Sequence, residues 1–261
     1  MRECKRVNGK ERRAALVTGA SGGIGVAICR ALAEDGLRVA ALDRSQDALD
    51  GLLQQLAGTG HISIVADVSN EAQVKSAFDR AQHALGELAV MVTGAGILML
   101  RPDGSRNLVA ETDLAEWQTT QDINATGTFL CCREFANRLP ASVSGGRIVT
   151  LSSVAAQLGG YRSSASYIAS KSAVLGLTKA MARELAPRSV TVNSVAPGLI
   201  DAPMLRLSLD PADDDKASAQ IPLGRLGTPD DVAAAVRFLV SPGASYITGV
   251  TIDVNGGYRM Q

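Results

Sequence analysis

Short apolar runs alternate with amphipathic helical patterns along this chain, and no other feature limits its fold as strongly. Runs of about five apolar residues bounded by turn formers are typical of buried strands, and apolar residues three and four apart are typical of helices. Because strands that alternate with helices form parallel sheets, the pattern predicts one α/β domain whose sheet is covered on both faces. The predicted strands are Ala14–Val17, Val39–Leu42, Ile62–Ala66, Ala89–Thr93, Arg147–Leu151, Val190–Val195 and Val250–Val254, and the clearest helical stripes are Val74, Ala77, Phe78, Ala81 and Leu85 and then Val232, Val236, Leu239 and Val240.

Composition excludes several classes of protein. The 261 residues include 26 basic and 26 acidic side chains, so the net charge is zero, unlike that of a nucleic-acid binder. No stretch approaches the roughly 18 apolar residues of a membrane span. Four cysteines and two histidines show no disulfide or metal-ligand spacing, which indicates a cytoplasmic protein without a metal site. We expect a solvated tail over residues 1–12 and a single domain over 13–261.

A glycine-rich turn, Thr18-Gly19-Ala20-Ser21-Gly22-Gly23-Ile24-Gly25, follows the first predicted strand. Its glycines allow a tight turn and a close backbone approach to phosphate, and the free N–H groups at the start of the next helix favour a pyrophosphate. Such turns also occur without a ligand. The motif is therefore consistent with dinucleotide binding but does not establish it.

The end of the second predicted strand bears on the choice of cofactor. Asp43 lies about 20 residues after the glycines, where a carboxylate accepts hydrogen bonds from ribose hydroxyls and repels a 2′-phosphate. This favours NAD. Arg44 points the other way, because its guanidinium would pair with a 2′-phosphate, although it would equally lie over an adenine. We expect NAD, with NADP as the alternative.

Tyr167 and Lys171 form the predicted acid/base group. Their spacing of four places both on one face of a helix. A nearby ammonium favours the phenolate, so a tyrosine beside it can exchange a proton with an alcohol or carbonyl. Ser152 and Ser153 follow a predicted strand, at the edge of the sheet where ligands bind. A serine there would polarise the substrate oxygen.

Together these motifs resemble those of the short-chain dehydrogenase/reductase family, over about Arg13 to Gly257. The resemblance implies a single Rossmann-like, doubly wound domain with a seven-stranded parallel sheet. It also implies a homotetramer or homodimer built through helices at Asp113–Leu139 and Ala165–Ala186. The motifs that carry it are Thr18-Gly19-x3-Gly23-x-Gly25, Asp67-Val68, Asn124 within Asp122–Gly127, Ser153, Tyr167-x3-Lys171 and Asn193-Ser194-Val195-Ala196-Pro197-Gly198.

The same resemblance assigns roles to individual residues. Tyr167 would be the catalytic acid/base, and Lys171 would lower its pKa and bind the nicotinamide ribose. Ser153 would orient the substrate oxygen, and Asn124 would hold a water of the proton relay. Asp67 would accept from the adenine amino group. The predicted cofactor residues are Gly19, Ser21, Gly22, Gly23, Ile24, Asp43, Arg44, Asp67, Val68, Ala95, Gly96, Tyr167, Lys171, Pro197, Gly198 and Ile200.

The chain departs from the family pattern at three places. Thr93-Gly94-Ala95-Gly96 stands where the family has Asn-Asn-Ala-Gly, so the asparagine contacts that brace the central strand are absent. Ala202 replaces the threonine that bonds the nicotinamide carboxamide, which leaves that contact to the backbone of Ile200 or to another group. The spacing from Ser153 to Tyr167 is one residue longer than usual, so Ser152 stays open as the catalytic serine.

The expected activity is hydride transfer between a secondary alcohol or carbonyl substrate and NAD. An NADP-dependent ketoacyl-type reductase, a catalytically idle dinucleotide-binding protein and a Ser153–Lys171 hydrolase are the alternatives. Ile97–Glu116 and Pro197–Pro222 are long connections of the kind that form binding loops or lids, and a lid would begin at Pro203. The substrate pocket is expected between Ile97–Glu116, Gln157–Ser164 and Asp201–Pro222. The predicted apolar wall consists of Leu98, Met99, Leu100, Leu158, Tyr161, Leu199, Met204 and Leu205.

Overall fold

Seven parallel strands form one sheet in the computed structural model, which describes residues 13–139 and 145–260. The sheet order is β3-β2-β1-β4-β5-β6-β7, so the direction of winding reverses between β1 and β4. In such sheets the crevice for ligands opens at the carboxyl ends beside the reversal. The predicted fold class is confirmed, whereas the predicted tail over 1–12 lies outside the described residues. The strands are β1 Ala14–Thr18, β2 Arg38–Asp43, β3 Ile62–Val65, β4 Leu88–Thr93, β5 Arg147–Leu151, β6 Thr191–Pro197 and β7 Thr251–Val254.

Helices cover both faces of the sheet, and each face has its own apolar core. On one face α3, α5 and α7 pack against the strands around Phe78 and Phe135. On the other, α1, α2 and α10 pack around Ile28, Leu49 and Val236. The helices are α1 Gly23–Glu34, α2 Gln46–Leu53, α3 Glu71–Leu85, α4 Leu114–Gln121, α5 Gly127–Arg138, α6 Ala155–Leu158, α7 Ala165–Leu185, α8 Pro203–Arg206, α9 Asp214–Ser218 and α10 Pro229–Val240.

The period of the apolar residues identifies the buried face of these helices. In α3 the buried residues are the five of the predicted stripe. In α10 the four predicted residues are buried together with Ala233. Both helices have side-chain N-caps: the Gln73 N–H donates to the Asn70 amide oxygen, and the Asp231 N–H donates to the Thr228 hydroxyl. Such caps satisfy backbone donors that would otherwise lack partners at the helix start.

The structure differs from the sequence prediction mainly outside the sheet. The helix expected over Asp113–Leu139 is divided by one π-helical turn, Asp122–Thr126. The connection after β4 contains a short 3-10 turn, Val109–Glu111, and ends at the N-cap Asp113 rather than at Glu116. The segment after β6 begins its first helix, α8, at Pro203, the residue expected to start a lid.

We predict that Phe78→Ala lowers the free energy of unfolding by about 3–5 kcal/mol, the usual cost of deleting a buried aromatic ring. Phe78 is fully buried in the core under α3. Phe238→Ala serves as the control, because that side chain is 46% exposed, and its loss should stay below about 1 kcal/mol. Urea denaturation of both variants measures the difference, and equal losses would contradict the assignment of Phe78 to the core.

Candidate active site

A cavity of about 650 Å³ runs along the carboxyl ends of the central strands. It extends from the end of β2, past the glycine-rich turn after β1, to the start of α7. Every predicted cofactor residue lines it, so the fold brings together side chains that are far apart in the sequence. These residues are Gly19, Ser21, Gly22, Gly23, Ile24, Asp43, Arg44, Asp67, Val68, Ala95, Gly96, Tyr167, Lys171, Pro197, Gly198 and Ile200.

The glycine-rich turn is packed so closely that side chains are excluded from it. Gly19 has a φ of +65°, and a Cβ there would lie 2.5 Å from the Ala95 nitrogen. At Gly25 a Cβ would lie 2.0 Å from the Gly19 carbonyl oxygen. The hydroxyl of Thr18 accepts from the N–H groups of Gly94 and Ala95 at 3.2 and 3.3 Å. Thr18 therefore braces the segment after β4, where the asparagines of the family pattern are absent.

Two carboxylates, Asp43 and Asp67, lie at the end of the cavity next to β2 and β3. Asp43 accepts from the N–H of Ser21 at 3.0 Å and from the N–H of Arg44 at 2.7 Å, so it joins the end of β2 to the glycine-rich turn. Asp67 accepts from the hydroxyl and N–H of Ser69 at 2.7 and 2.9 Å. The bond from the Ser69 hydroxyl holds the pKa of Asp67 below its ordinary value, with a smaller contribution from Arg44. Both carboxylates line the cavity.

Tyr167 and Lys171 lie one turn apart on α7 and are both buried. The Lys171 ammonium donates to the Leu151 carbonyl at 3.0 Å and lies 5.9 Å from the centre of the Tyr167 ring. Burial lowers the pKa of Lys171 to about 8. Burial also raises the pKa of Tyr167, against a smaller lowering by the Ser153 hydroxyl. The expected lowering of the Tyr167 pKa by Lys171 is therefore not observed. Removal of the phenol from water has the larger effect and raises its pKa.

The two serines after β5 are held differently. Ser152 is buried, and its hydroxyl donates to the Lys171 carbonyl at 2.8 Å. Ser153 is half-buried beside the tyrosine, and its hydroxyl oxygen accepts from the Ala155 N–H at 3.1 Å. That bond leaves the Ser153 proton available for another acceptor. Of the two, Ser153 has the hydroxyl that can donate to a substrate oxygen.

Asn124 lies behind the cavity and does not line it. The π-helical turn places it at full burial, where its amide oxygen accepts from the Ile97 N–H at 2.8 Å. Its amide nitrogen donates to the Ile97 carbonyl and to the Ser170 hydroxyl, both at 3.0 Å. The main-chain carbonyl of Asn124 accepts from the Thr128 hydroxyl at 2.8 Å. Asn124 thus joins the segment after β4 to the helix that carries the tyrosine.

Three segments surround the far half of the cavity. Six of the eight predicted wall residues line it, whereas Met99 and Leu100 do not. Arg162 donates to the Ser208 carbonyl at 2.8 Å and so links the segment before α7 to the one after α8. Sequence analysis missed Tyr258, which also lines the cavity, because no spacing in the sequence connects it with the other residues. The six lining residues are Leu98, Leu158, Tyr161, Leu199, Met204 and Leu205.

Within the part of the chain that the structure describes, no helix has the length and hydropathy required to cross a membrane. The described residues also contain no group of three or more histidine, cysteine, aspartate or glutamate side chains that could hold a metal ion.

These features define the class: an oxidoreductase built on a doubly wound parallel sheet, with a glycine turn after β1 and a buried Tyr–Lys pair. A family model described as enoyl-(acyl carrier protein) reductase matches residues 19–259. Galactitol 2-dehydrogenase (L-tagatose-forming) of Cereibacter sphaeroides is 39% identical over 94% of both chains. The 3-oxoacyl-[acyl-carrier-protein] reductase of Synechocystis sp. is 38% identical over 94% of this chain and 96% of its own.

A solved structure agrees with these relatives. The 3-oxoacyl-[acyl-carrier protein] reductase of Brucella melitensis, crystallised with bound NAD, superposes with a TM-score of 0.86. It is 33% identical to this chain and covers 95% of this chain and 92% of its own. The protein belongs to the short-chain dehydrogenase/reductase family.

We predict that the buried ammonium of Lys171 makes folding stability depend on pH. Its pKa is about 8 in the fold and 10.5 when exposed, so above pH 8 the unfolded chain binds the extra proton. Stability should therefore rise with pH in this window, by about 2 kcal/mol between pH 7 and pH 9.5 relative to Lys171→Met. Urea denaturation at several pH values measures it. Lys179→Met, at an exposed lysine of the same helix, should keep the wild-type slope. A Lys171→Met variant that also keeps that slope would show that burial does not perturb the lysine.

Proposed function

We propose that this protein transfers a hydride between a secondary alcohol or carbonyl substrate and NAD, with Tyr167 as the acid/base. The observation that carries the proposal is the position of Tyr167, Lys171 and Ser153 in the same cavity as the glycine-rich turn. Fold alone would not justify it, because doubly wound sheets serve many functions. A proton-transfer group adjoining a dinucleotide-binding turn is the arrangement that a dehydrogenase requires.

The cavity suits a nicotinamide dinucleotide at several independent points. A Cβ at Gly96 would lie 3.1 Å from the Lys171 ammonium and 3.2 Å from the Asn124 amide oxygen, so glycine keeps this region open. The start of α1 at Gly23 presents free N–H groups, which favour a pyrophosphate. Asp43 supports NAD, since its carboxylate would accept from ribose hydroxyls and repel a 2′-phosphate. The bound NAD in the Brucella reductase shows that a relative of this fold takes that cofactor.

In the proposed reaction Tyr167 moves the proton. The Ser153 hydroxyl donates to the substrate oxygen and holds it beside the tyrosine. As phenolate, Tyr167 takes the proton of the alcohol, and in the reverse direction its phenol returns a proton to the carbonyl. A bound nicotinamide supplies the site that accepts or delivers the hydride. The tyrosine is buried, so the proton passes to the substrate oxygen rather than to bulk water.

Lys171 supports the tyrosine in this scheme. With a pKa of about 8, its ammonium is charged near neutrality, and this charge would offset part of the burial that raises the pKa of Tyr167 when the phenolate forms during oxidation. The Leu151 carbonyl fixes its position through the 3.0 Å hydrogen bond. Asn124 would hold a relay water through its main-chain carbonyl. Its side chain is already fully used in bonds to Ile97 and Ser170.

An NADP-dependent ketoacyl-type reductase is the main alternative. Its support comes from the Synechocystis and Brucella relatives, which are named 3-oxoacyl-[acyl-carrier-protein] reductases, and from Arg44 in the cavity wall. In this alternative Arg44 would pair with a 2′-phosphate, and Asp43 would oppose it. The galactitol dehydrogenase relative favours oxidation of an alcohol instead. An idle dinucleotide-binding protein would have no use for the buried Tyr–Lys pair.

We also propose a homotetramer or homodimer in the cytoplasm. The helices expected at the interface expose apolar side chains: Leu114 is 76% and Trp117 is 39% exposed on α4. They line a second, shallow cavity with Ala165, the first residue of α7. Large exposed apolar side chains of this kind mark association surfaces. Cys29, Cys131 and Cys132 are buried free thiols, which supports a reducing compartment.

We predict that Tyr167→Phe lowers kcat by about 10²–10⁴-fold, because the proton donor and acceptor is removed. The KM for NAD should change by less than about threefold, since the ring still packs in its site. NAD⁺ reduction is measured across secondary alcohols, polyols and hydroxyacyl thioesters. Tyr246→Phe, at an exposed tyrosine, is the matched control. Undiminished turnover in Tyr167→Phe would exclude the tyrosine mechanism, and ester hydrolysis that survives it would favour the Ser153–Lys171 hydrolase.

We predict that Asp43→Ser shifts cofactor preference toward NADP by at least about tenfold, because the carboxylate no longer repels a 2′-phosphate. The ratio of kcat/KM for NAD to that for NADP measures the shift. Arg44→Ala should leave the preference of the wild-type enzyme for NAD in place. A wild-type enzyme that prefers NADP and loses this preference in Arg44→Ala would establish the ketoacyl-type alternative.

A further inference from the structure

A buried carboxylate lies next to the catalytic helix and has only neutral partners. Glu116 is 6% exposed. One of its oxygens accepts from the side-chain amide of Asn107 at 2.6 Å, and the other accepts from the Ser166 hydroxyl at 3.1 Å. None of the ion pairs found among residues 13–139 and 145–260 includes Glu116. A carboxylate buried without a cation is costly unless other groups stabilise it.

Two helix N-termini supply that stabilisation. Glu116 is in the first turn of α4, where its N–H donates to the N-cap Asp113 at 2.7 Å. Its carboxylate reaches Ser166, in the first turn of α7. The N-terminus of a helix carries a partial positive charge that favours an anion. Glu116 therefore occupies the junction of two such ends, and this explains how the fold tolerates it.

The partners of Glu116 connect three parts of the site. Asn107 belongs to the long connection after β4, and its amide oxygen accepts from Arg101 at 2.9 Å. Ser166 directly precedes Tyr167, and its hydroxyl also contacts the Ser164 hydroxyl at 2.8 Å. The Ser166 carbonyl accepts from Gln121, at the end of α4, at 2.9 Å.

The two helices that meet at Glu116 carry the catalytic side chains. α4 leads into the π-helical turn that holds Asn124, and α7 carries Tyr167 and Lys171. The connection after β4 is also tied to the segment between α6 and α7, since Arg106 donates to the Gly160 carbonyl at 2.8 Å. A change at this junction would move the tyrosine relative to Ser153, which is held on β5 and α6 instead.

We propose that Glu116 is a positioning residue for the reaction proposed above: it locks the first turns of α4 and α7 and the connection after β4 in one register. In this role its hydrogen bonds matter more than its charge. A glutamine can present its oxygen to Asn107 and its amide to Ser166, whose own proton then turns to Ser164. A leucine of similar size makes none of these bonds. The two substitutions therefore separate bonding from volume.

The test compares Glu116→Gln and Glu116→Leu with Glu87→Leu. Glu87 is an exposed carboxylate between α3 and β4, outside the hydrogen bonds described above. We expect Glu116→Leu to lower kcat at least tenfold with less than a twofold change in the KM for NAD, and Glu116→Gln to restore kcat to within threefold of wild type. Glu87→Leu should stay within twofold. Ser166→Ala removes one hydrogen bond at nearly constant volume and should lower kcat at least fivefold. This variant replaces Glu116→Leu in the test if Glu116→Leu does not fold.

Two results would overturn the proposal. One is a folded Glu116→Leu or Ser166→Ala with wild-type kcat. The other is a loss of kcat, NAD affinity and melting temperature together, without rescue by Glu116→Gln, which is the behaviour of a purely structural group. Ultraviolet titration of the Tyr167 phenol, isolated by subtracting Tyr167→Phe, gives a readout that does not need turnover. A change of register should shift this titration. If the wild-type enzyme is inactive on every substrate, the proposed function is refuted, and the titration still decides the role of Glu116.

Discussion

The close approach of the segments after β1 and β4 is the constraint on which the site depends. At the point where the winding of the sheet reverses, the carboxyl ends of two neighbouring strands diverge and leave a crevice. Here the two segments can lie against each other because Gly19 and Gly94 have no side chains, so that their backbones are in direct contact. A Cβ at Gly94 would lie 2.7 Å from the Thr18 carbonyl. The glycine-rich turn, the Thr18 brace and the placement of Asp43 all follow from that approach.

The sheet and the glycine-rich turn could be predicted from the sequence because they rest on local patterns. Continuous apolar runs identify the buried strands and a period of 3.6 identifies the buried helix faces, and the stripes of α3 and α10 agree with the structure. Most of the predicted cofactor residues follow strand ends, so the fold class alone brings them to one edge of the sheet, whereas Tyr167 and Lys171 reach it from α7. Strand ends differed by one or two residues, since helix and strand limits depend on pairing across the sheet rather than on local sequence.

Other parts of the site could not be predicted in this way. Glu116 reads as an ordinary first-turn acid of a helix, and its burial becomes visible only when α7 packs beside α4. Tyr258 reaches the cavity through the end of the chain, with no spacing to mark it. The balance of pKa effects at Tyr167 also required the structure, because a sequence shows the neighbouring lysine but not the depth at which both groups are buried.

The π-helical turn at Asp122–Thr126 has a further consequence for how this chain can vary. One additional residue in a helical turn rotates everything after it by about 100° relative to a regular helix. α4 and α5 are therefore out of phase, and a single apolar stripe cannot be drawn through both. A deletion of one residue here would yield a more regular helix but would turn α5 away from the core or Asn124 away from Ile97. The length of this segment is consequently fixed to the single residue.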